Sequence, residues 1–307
     1  VTESPDPGAE PGHMPNQPVP NRPKQRPVGQ DLLTDPQRRR RLGAAFDQNQ
    51  SLAQAREYDA VRPRYPHQAV TAILQLAQAS AHSAPVIADL GAGSGILTRE
   101  LLAAGAHVHA VEPGATMLQV LMETAGDTAE TAAVGEFDGP PLGRLFTHQR
   151  PAEDTGMAAA SCDVAVAAQA WHWFDPERIQ EELRRILVPG GAVAVVGNYL
   201  DTSDPWVHRL TRIMRAGDVY RPQWQPRLEA PHFSPVETNT FRHSRSITPE
   251  EILRLATTLS SWLAADDAQR ARRRENLTWY LFEHLGHSQG EELQLPYLTT
   301  LHTARLR

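Results

Sequence analysis

The chain has 307 residues, 40% of them hydrophobic, and a formal net charge of −6. That length suffices for one large core with additions. The acidic balance disfavours a nucleic-acid partner, which requires a basic face. The single cysteine, Cys162, excludes an internal disulfide and any multi-thiolate metal site.

No apolar run reaches the length of a membrane span, and no basic-then-apolar leader opens the chain, so a cytoplasmic location without a membrane partner is expected. Residues 1–36 hold nine prolines and almost no large apolar side chains. Such a segment cannot bury enough surface to offset its ordering entropy, and 1–40 is expected to be a disordered Pro-rich tail ahead of a single domain at 41–307. The basic run Arg38–Arg41 reads as a solvated helix start. Residues 44–66 carry Phe46, Tyr58 and the stretch Val61-Arg62-Pro63-Arg64-Tyr65-Pro66. Here Tyr58 can donate a hydrogen bond and Arg62 or Arg64 can pair with a carboxylate, or the prolines simply stiffen a linker. Residues 67–79 predict a helix with Val70, Ile73, Leu74 and Leu76 as its apolar stripe.

Val86–Leu90 is a short apolar run that breaks into Gly91, Gly93 and Gly95 and resumes as a helix carrying Leu97, Leu101 and Leu102. Strand, glycine turn and helix open a nucleotide-binding α/β unit. In a dinucleotide fingerprint, G-x-G-x-x-G, the helix start receives a pyrophosphate. Here the third glycine comes one residue early and Asp89 precedes the turn. A carboxylate at that point repels pyrophosphate but can hold an ammonium group, as S-adenosylmethionine (SAM) offers; a nicotinamide oxidoreductase is correspondingly disfavoured. The next strand, 107–111, ends at Glu112, whose carboxylate can accept both hydroxyls of a ribose. His107 and His109 alternate on that strand, but two histidines without a third ligand do not make a metal site, and none is expected.

Further on, Pro113 to Met122 predicts a helix, 124–143 an inserted loop, 144–149 a third strand and 163–168 a fourth, fully apolar strand. The fourth strand delivers Gln169-Ala170-Trp171-His172-Trp173-Phe174-Asp175. Asp175-Pro176 predicts a helix start, with Ile179, Leu183 and Ile186 inward, and 192–197 a fifth strand. Residues 198–290 read as an insertion with helices that covers the substrate, including a sixth strand near 236–243, a capping box at Thr248–Glu251 and an arginine-rich helix at 268–285 with a solvated basic face. A last strand at 295–303 returns antiparallel at the sheet edge.

With Asp89 to Gly95 as D-L-G-x-G-x-G, Val111-Glu112-Pro113 as V-E-P and His172 to Asp175 as H-W-F-D, the chain resembles the class I SAM-dependent methyltransferases, in particular the bacterial small-molecule group. The resemblance spans roughly residues 46–200. It implies a doubly wound, seven-stranded, mostly parallel Rossmann-like α/β sheet with an antiparallel seventh strand and helical additions. It also implies SAM as cofactor and a small-molecule acceptor as partner, with a homodimer left open. The implied cofactor-binding residues are Tyr58, Arg62, Asp89, Gly91, Ala92, Gly93, Gly95, Glu112, Pro113, Met117, Ala152, Glu153 and Gln169. Related enzymes place a polar residue before the Ala-Glu pair; this chain has Pro151, which shifts adenine contacts to Ala152 or Glu153. Trp171, Trp173 and Tyr199 are the candidate acceptor contacts, and His172 is the candidate general base or, alternatively, a packing histidine. The N/D-P-P-Y/F of amino-methyltransferases acting on nucleobases or glutamine is absent. A SAM-binding module without transfer and a methyltransferase acting on a macromolecule remain as alternative functions.

Overall fold

The computed structural model describes residues 51–77, 84–130, 143–215 and 222–307. The Pro-rich tail, the Arg38–Arg41 run and Phe46 lie outside them. The central sheet has seven strands, β1 (Val86–Leu90), β2 (His107–Val111), β3 (Leu145–His148), β4 (Cys162–Ala168), β5 (Leu187–Leu200), β6 (Glu237–Ile247) and β7 (Leu293–Arg305), in the order β3-β2-β1-β4-β5-β7-β6. All neighbours are parallel except β7, which runs antiparallel to both β5 and β6.

The last strand is therefore interior, not at the edge as expected. Its residues are buried on both faces, whereas β6 (ETNTFRHSRSI) is exposed or half-exposed until Ile247. Polar, charged side chains suit an edge, where they discourage further strand addition. The polar residues of 237–247 thus take the rim and the apolar residues of 293–305 go inside.

One face is covered by α2 (His67–Gln75), α3 (Ile96–Ala103) and α4 (Ala115–Glu130). Val70, Ile73, Leu97, Leu101, Leu102 and Leu121 pack there on Ile87, Val108, Val164, Val166, Ala194 and Val196. The other face receives α5 (Arg178–Ile186), whose Ile179, Leu183 and Ile186 meet Ala165, Ala167, Val193 and Val195. A third cluster forms beyond the end of β5. It joins Val61 from α1 (Leu52–Val61) and Leu200 to α6 (Pro205–Met214), α7 (Pro249–Thr257), α8 (Ser260–Leu263) and α9 (Asp267–Thr278).

Several boundaries differ from those expected. Helix α4 runs on to Glu130 because nothing breaks it: Ala125 is buried, and the Thr124 hydroxyl donates to Val120 O at 2.8 Å and accepts from Arg99 at 2.5 Å. The remainder of the expected 124–143 loop, 131–142, lies outside the described residues. Strand β5 extends to Leu200 because β7 pairs it that far. Helix α5 begins at Arg178, yet Asp175 still caps it, its Oδ1 accepting from the N–H groups of Glu177 and Arg178 at 3.1 Å each. Helix α1 opens on a Ser51–Gln54 capping box.

Of the arginines of α9, Arg272 and Arg274 are exposed as expected, but Arg270 and Arg273 are not part of a solvated face. Arg270 donates to the carbonyls of Trp262 and Leu263, and buried Arg273 donates to Ser261 O at 2.6 Å. They satisfy carbonyl groups at the short helix α8. Cys162 is fully buried, with burial raising its thiol to about 12, and is inert. No described helix is long and apolar enough to cross a membrane.

Candidate active site

Strand order reverses between β1 and β4, and in open α/β sheets ligands bind outside the carboxyl ends of the strands at such a point. The glycine turn lies on the β1 side. All three glycines have positive φ, and the N–H groups of Gly91 and Ala92 both donate to Val111 O, fastening the turn to the tip of β2. Gly91 and Gly95 are pressed by neighbours: a Cβ on Gly91 would lie 2.6 Å from Ala170 Cβ, and one on Gly95 2.7 Å from Leu121 Cγ. Gly93 has nothing within 4 Å of such a carbon. Two glycines thus close the turn against the protein, and the middle one leaves bare backbone for a ligand.

Asp89 is fully buried. Its Oδ2 accepts from the Thr98 hydroxyl at 2.6 Å, and its Oδ1 has no partner. Burial raises the carboxyl to about 6, against the pull of that hydroxyl. An orphaned buried carboxylate oxygen is costly, and a cation satisfies it. Glu112 accepts from Gly93 N at 2.9 Å through Oε2 and from Gly114 N at 2.8 Å through Oε1, bridging the turn and the residue after Pro113.

On the β4 side, Gln169 holds a left-handed backbone (φ 56°), an uncommon conformation for a non-glycine residue. Its Nε2 donates to Asn198 O at 2.6 Å, tying β4's tip to β5. The turn Trp171–Trp173 follows. A Cβ on Gly91 would strike Ala170 and touch the Phe174 ring at 3.5 Å, so the aromatic wall packs directly on the glycine turn. Trp171 meets Phe174 edge-on at 6.0 Å, and His172 leans on Trp173 at 4.3 Å between centroids. Glu153 accepts from Asp175 N at 2.6 Å, which anchors the 151–154 turn to this wall, and the Ala152 side chain is buried beneath it. The Tyr199 ring folds over Gly197, whose missing side chain makes the space.

Met117 is buried with Ala55, Val120 and Tyr58, where α4 meets α1. Arg62 lies over the Tyr58 ring at 4.8 Å and donates to Thr258 O at 3.0 Å. Arg64 is exposed and pairs with Glu100 at 3.5 Å. His109 and His148 hydrogen-bond each other at 2.9 Å, and His107 accepts from Arg144 N at 3.1 Å. Among the described residues no group of three or more His, Cys, Asp or Glu gathers in a metal-binding arrangement.

Tyr65 and Asn198 are not among the candidate site residues, although the stretches 61–66 and 198–290 that carry them are singled out by the sequence. Tyr65 packs on the first core cluster, and its hydroxyl is held well above the ordinary range by burial, then by Tyr58 and the Asp89 charge. Its signal was a tyrosine between Arg64 and Pro66, where proline fixes the chain's direction. Buried Asn198 donates to Arg64 O at 3.1 Å and accepts from the Thr299 hydroxyl at 2.5 Å. An amide at the end of an apolar strand was the available clue.

Sheet order and glycine turn together define a Rossmann-like methyltransferase fold. A methyltransferase-domain family matches residues 88–195. An uncharacterized methyltransferase of Mycobacterium tuberculosis is 32% identical over 251 residues, 81% of this chain and 92% of that protein. One of Schizosaccharomyces pombe is 29% identical over 210 residues, 67% of this chain and 76% of the relative. A solved Anaeromyxobacter dehalogenans chain, described as a candidate type II methyltransferase, superposes with TM-score 0.54 at 26% identity, covering 80% of this chain and 97% of that one. The chain belongs to the class I SAM-dependent methyltransferases, and SAM is its cofactor. The residues present fit that nucleoside: the orphaned Asp89 Oδ1 suits an ammonium, and the open side of Gly93 suits a close approach.

Proposed function

We propose that this enzyme methylates a small molecule held against Trp171, His172, Trp173 and Tyr199. The observation that carries the reading is the strap Arg62–Pro66. Asn198 fastens it to the sheet through the carbonyls of Pro63 and Arg64, and the Tyr65 hydroxyl is buried within reach of the Asp89 charge. A site roofed this closely suits a compact acceptor better than a polymer, and the acidic net charge agrees. When bound, SAM supplies a methyl group already activated on a sulfonium. The protein's part is alignment and exclusion of water. In this reading Asp89 receives the ammonium, Glu112 the ribose hydroxyls, and Gly91, Ala92, Gly93, Gly95 and Pro113 shape the cradle. Tyr58 and Met117 line the methionine side, with Arg62 stacked on Tyr58 from the side of Thr258; Ala152 and Glu153 line the adenine side, and Gln169 sets the floor between cofactor and acceptor. Incubation of cell extract with methyl-labelled SAM should place enzyme-dependent label in the small-metabolite fraction. Label confined to protein or nucleic acid would overturn the proposal.

His172 is the one imidazole in the wall and the candidate base for an acidic O–H or N–H acceptor. With SAM saturating at every pH, kcat/KM for the labelled acceptor should show an acidic limb that His172→Gln removes while S-adenosylhomocysteine affinity stays unchanged. A limb that persists assigns His172 to packing against Trp173.

Asp89 must be ionised to hold an ammonium, and burial places its folded value at about 6. Between about pH 4 and 6 the folded chain carries a proton there that the unfolded chain has lost, so stability contributed at this site falls as pH rises through that window. Binding has the opposite slope. S-adenosylhomocysteine affinity should rise about tenfold per pH unit up to 6 and level off above 7. Asp89→Asn should bind weakly with this step missing and, without ligand, gain stability relative to wild type above pH 6. Calorimetric titration at pH 5 to 8 checks the first expectation and thermal melts the second.

A further inference from the structure

The third cluster contains polar atoms that the cofactor site does not use. Tyr297 is 3% exposed, and its hydroxyl has no hydrogen-bond partner. Burial pushes that hydroxyl up to about 12, and the charges of Arg245 and Arg62 both reach it and pull the other way. The Nε of Arg62 is likewise buried without a partner. In the β6–β7 register His243 lies opposite Tyr297, so Arg245, two residues on, is its diagonal neighbour on the same face. Arg245 donates to Val61 O, next to Arg62. Among the described residues neither guanidinium has a carboxylate partner; their hydrogen bonds go to the carbonyls of Thr258 and Val61. Two cations, one with a buried unpartnered Nε, and a phenol with an unpartnered hydroxyl call for an anion.

We infer that Arg245, Tyr297 and the Nε of Arg62 form an anion subsite that receives a carboxylate of the methyl acceptor, making the acceptor an organic acid. This rests on the small-molecule reading above and specifies its substrate class. The cofactor's own carboxylate is the competing occupant. Position argues against it. Tyr297 is on β7, three strands from Asp89 on β1, a lateral distance of about 14 Å at ordinary strand spacing. An α-carboxylate shares its carbon with the ammonium that Asp89 would hold, and cannot span that gap. The subsite is buttressed from beneath. His243 stacks on Tyr297 at 5.6 Å and hydrogen-bonds the Thr299 hydroxyl at 2.9 Å, and that hydroxyl gives its proton to Asn198 Oδ1. His243 Nε2 is therefore the donor to Thr299.

The test is calorimetric titration of the S-adenosylhomocysteine-loaded full chain with benzoate and octanoate and with their neutral counterparts, benzamide and octanamide. At least one acid should bind, with its amide at least tenfold weaker. Arg245→Met and Tyr297→Phe should each weaken the acid about tenfold and leave S-adenosylhomocysteine affinity unchanged. Without acid, Tyr297→Phe should melt no lower than wild type, since the hydroxyl it removes has no protein partner. Binding of neither acid, equal binding of acid and amide, or undiminished acid binding by both variants would overturn the subsite. Loss of S-adenosylhomocysteine affinity in the variants would also overturn it, by identifying the anion as the cofactor's carboxylate. Failure of the wild type to bind S-adenosylhomocysteine would show before any acid is added, and would overturn the cofactor-site reading as well.

Discussion

Replacing Glu112 with alanine is expected to weaken S-adenosylhomocysteine binding at least a hundredfold while leaving the fold intact. The carboxylate does two jobs. It accepts from Gly93 N at 2.9 Å and Gly114 N at 2.8 Å, and so fixes the middle of the glycine turn relative to the next helix. It is also the acceptor proposed for the ribose hydroxyls. Hydrogen bonds to a charged group contribute about 1.5–3 kcal/mol each, and two lost on binding amount to a factor of roughly 10² or more. Glu112→Gln separates the jobs. An amide retains one carbonyl acceptor but turns its NH2 toward Gly93 N or Gly114 N, donor against donor, so it should recover only part of the affinity. Isothermal titration of the three proteins reads the difference, and wild-type affinity in Glu112→Ala would refute the assignment.

The glycines of the turn should divide into two classes. Gly91→Ala combines a left-handed backbone, costing about 1–2 kcal/mol, with a methyl 2.6 Å from Ala170 Cβ, where overpacking costs about 1–3 kcal/mol more. A loss of about 2–5 kcal/mol follows, lowering Tm by roughly 5–20 °C for a chain of this size. Gly93→Ala has the same backbone penalty but open space around the new methyl, so its stability should fall by only about 1–2 kcal/mol. Its defect should appear in the S-adenosylhomocysteine titration. Melting curves of both variants check the division, and equal destabilisation would contradict it.

The sheet was largely legible because central parallel strands covered on both faces are short apolar runs, as at 86–90 and 162–168, while 107–111 shows by its alternation. Asp89 and Glu112 were legible because each sits where a strand meets glycine or proline. The position of the last strand was not. Strand order at an edge depends on comparing two candidate strands, and the polar character of 237–247 decides only once 293–305 is available to be buried in its place. Arg270 and Arg273 misled for a related reason. A charge run looks solvated until the short helix 260–263 supplies carbonyl groups for it to cap. Tyr65, Asn198 and Tyr297 come from three separate parts of the chain, and only the closed sheet brings their neighbourhoods together.

The interior place of β7 has a consequence for how the molecule is built. The strands from β1 to β5 form one continuous parallel wall, but β6 touches that wall only through β7, which is also the latest strand to leave the ribosome. Until those thirteen residues arrive, β5 ends in a raw apolar margin and β6 has nothing to pair with. Assembly of this half must wait on a contact between distant stretches of sequence, the slow kind of step. A nascent chain stalled short of residue 293 would present that margin to other chains and invite aggregation.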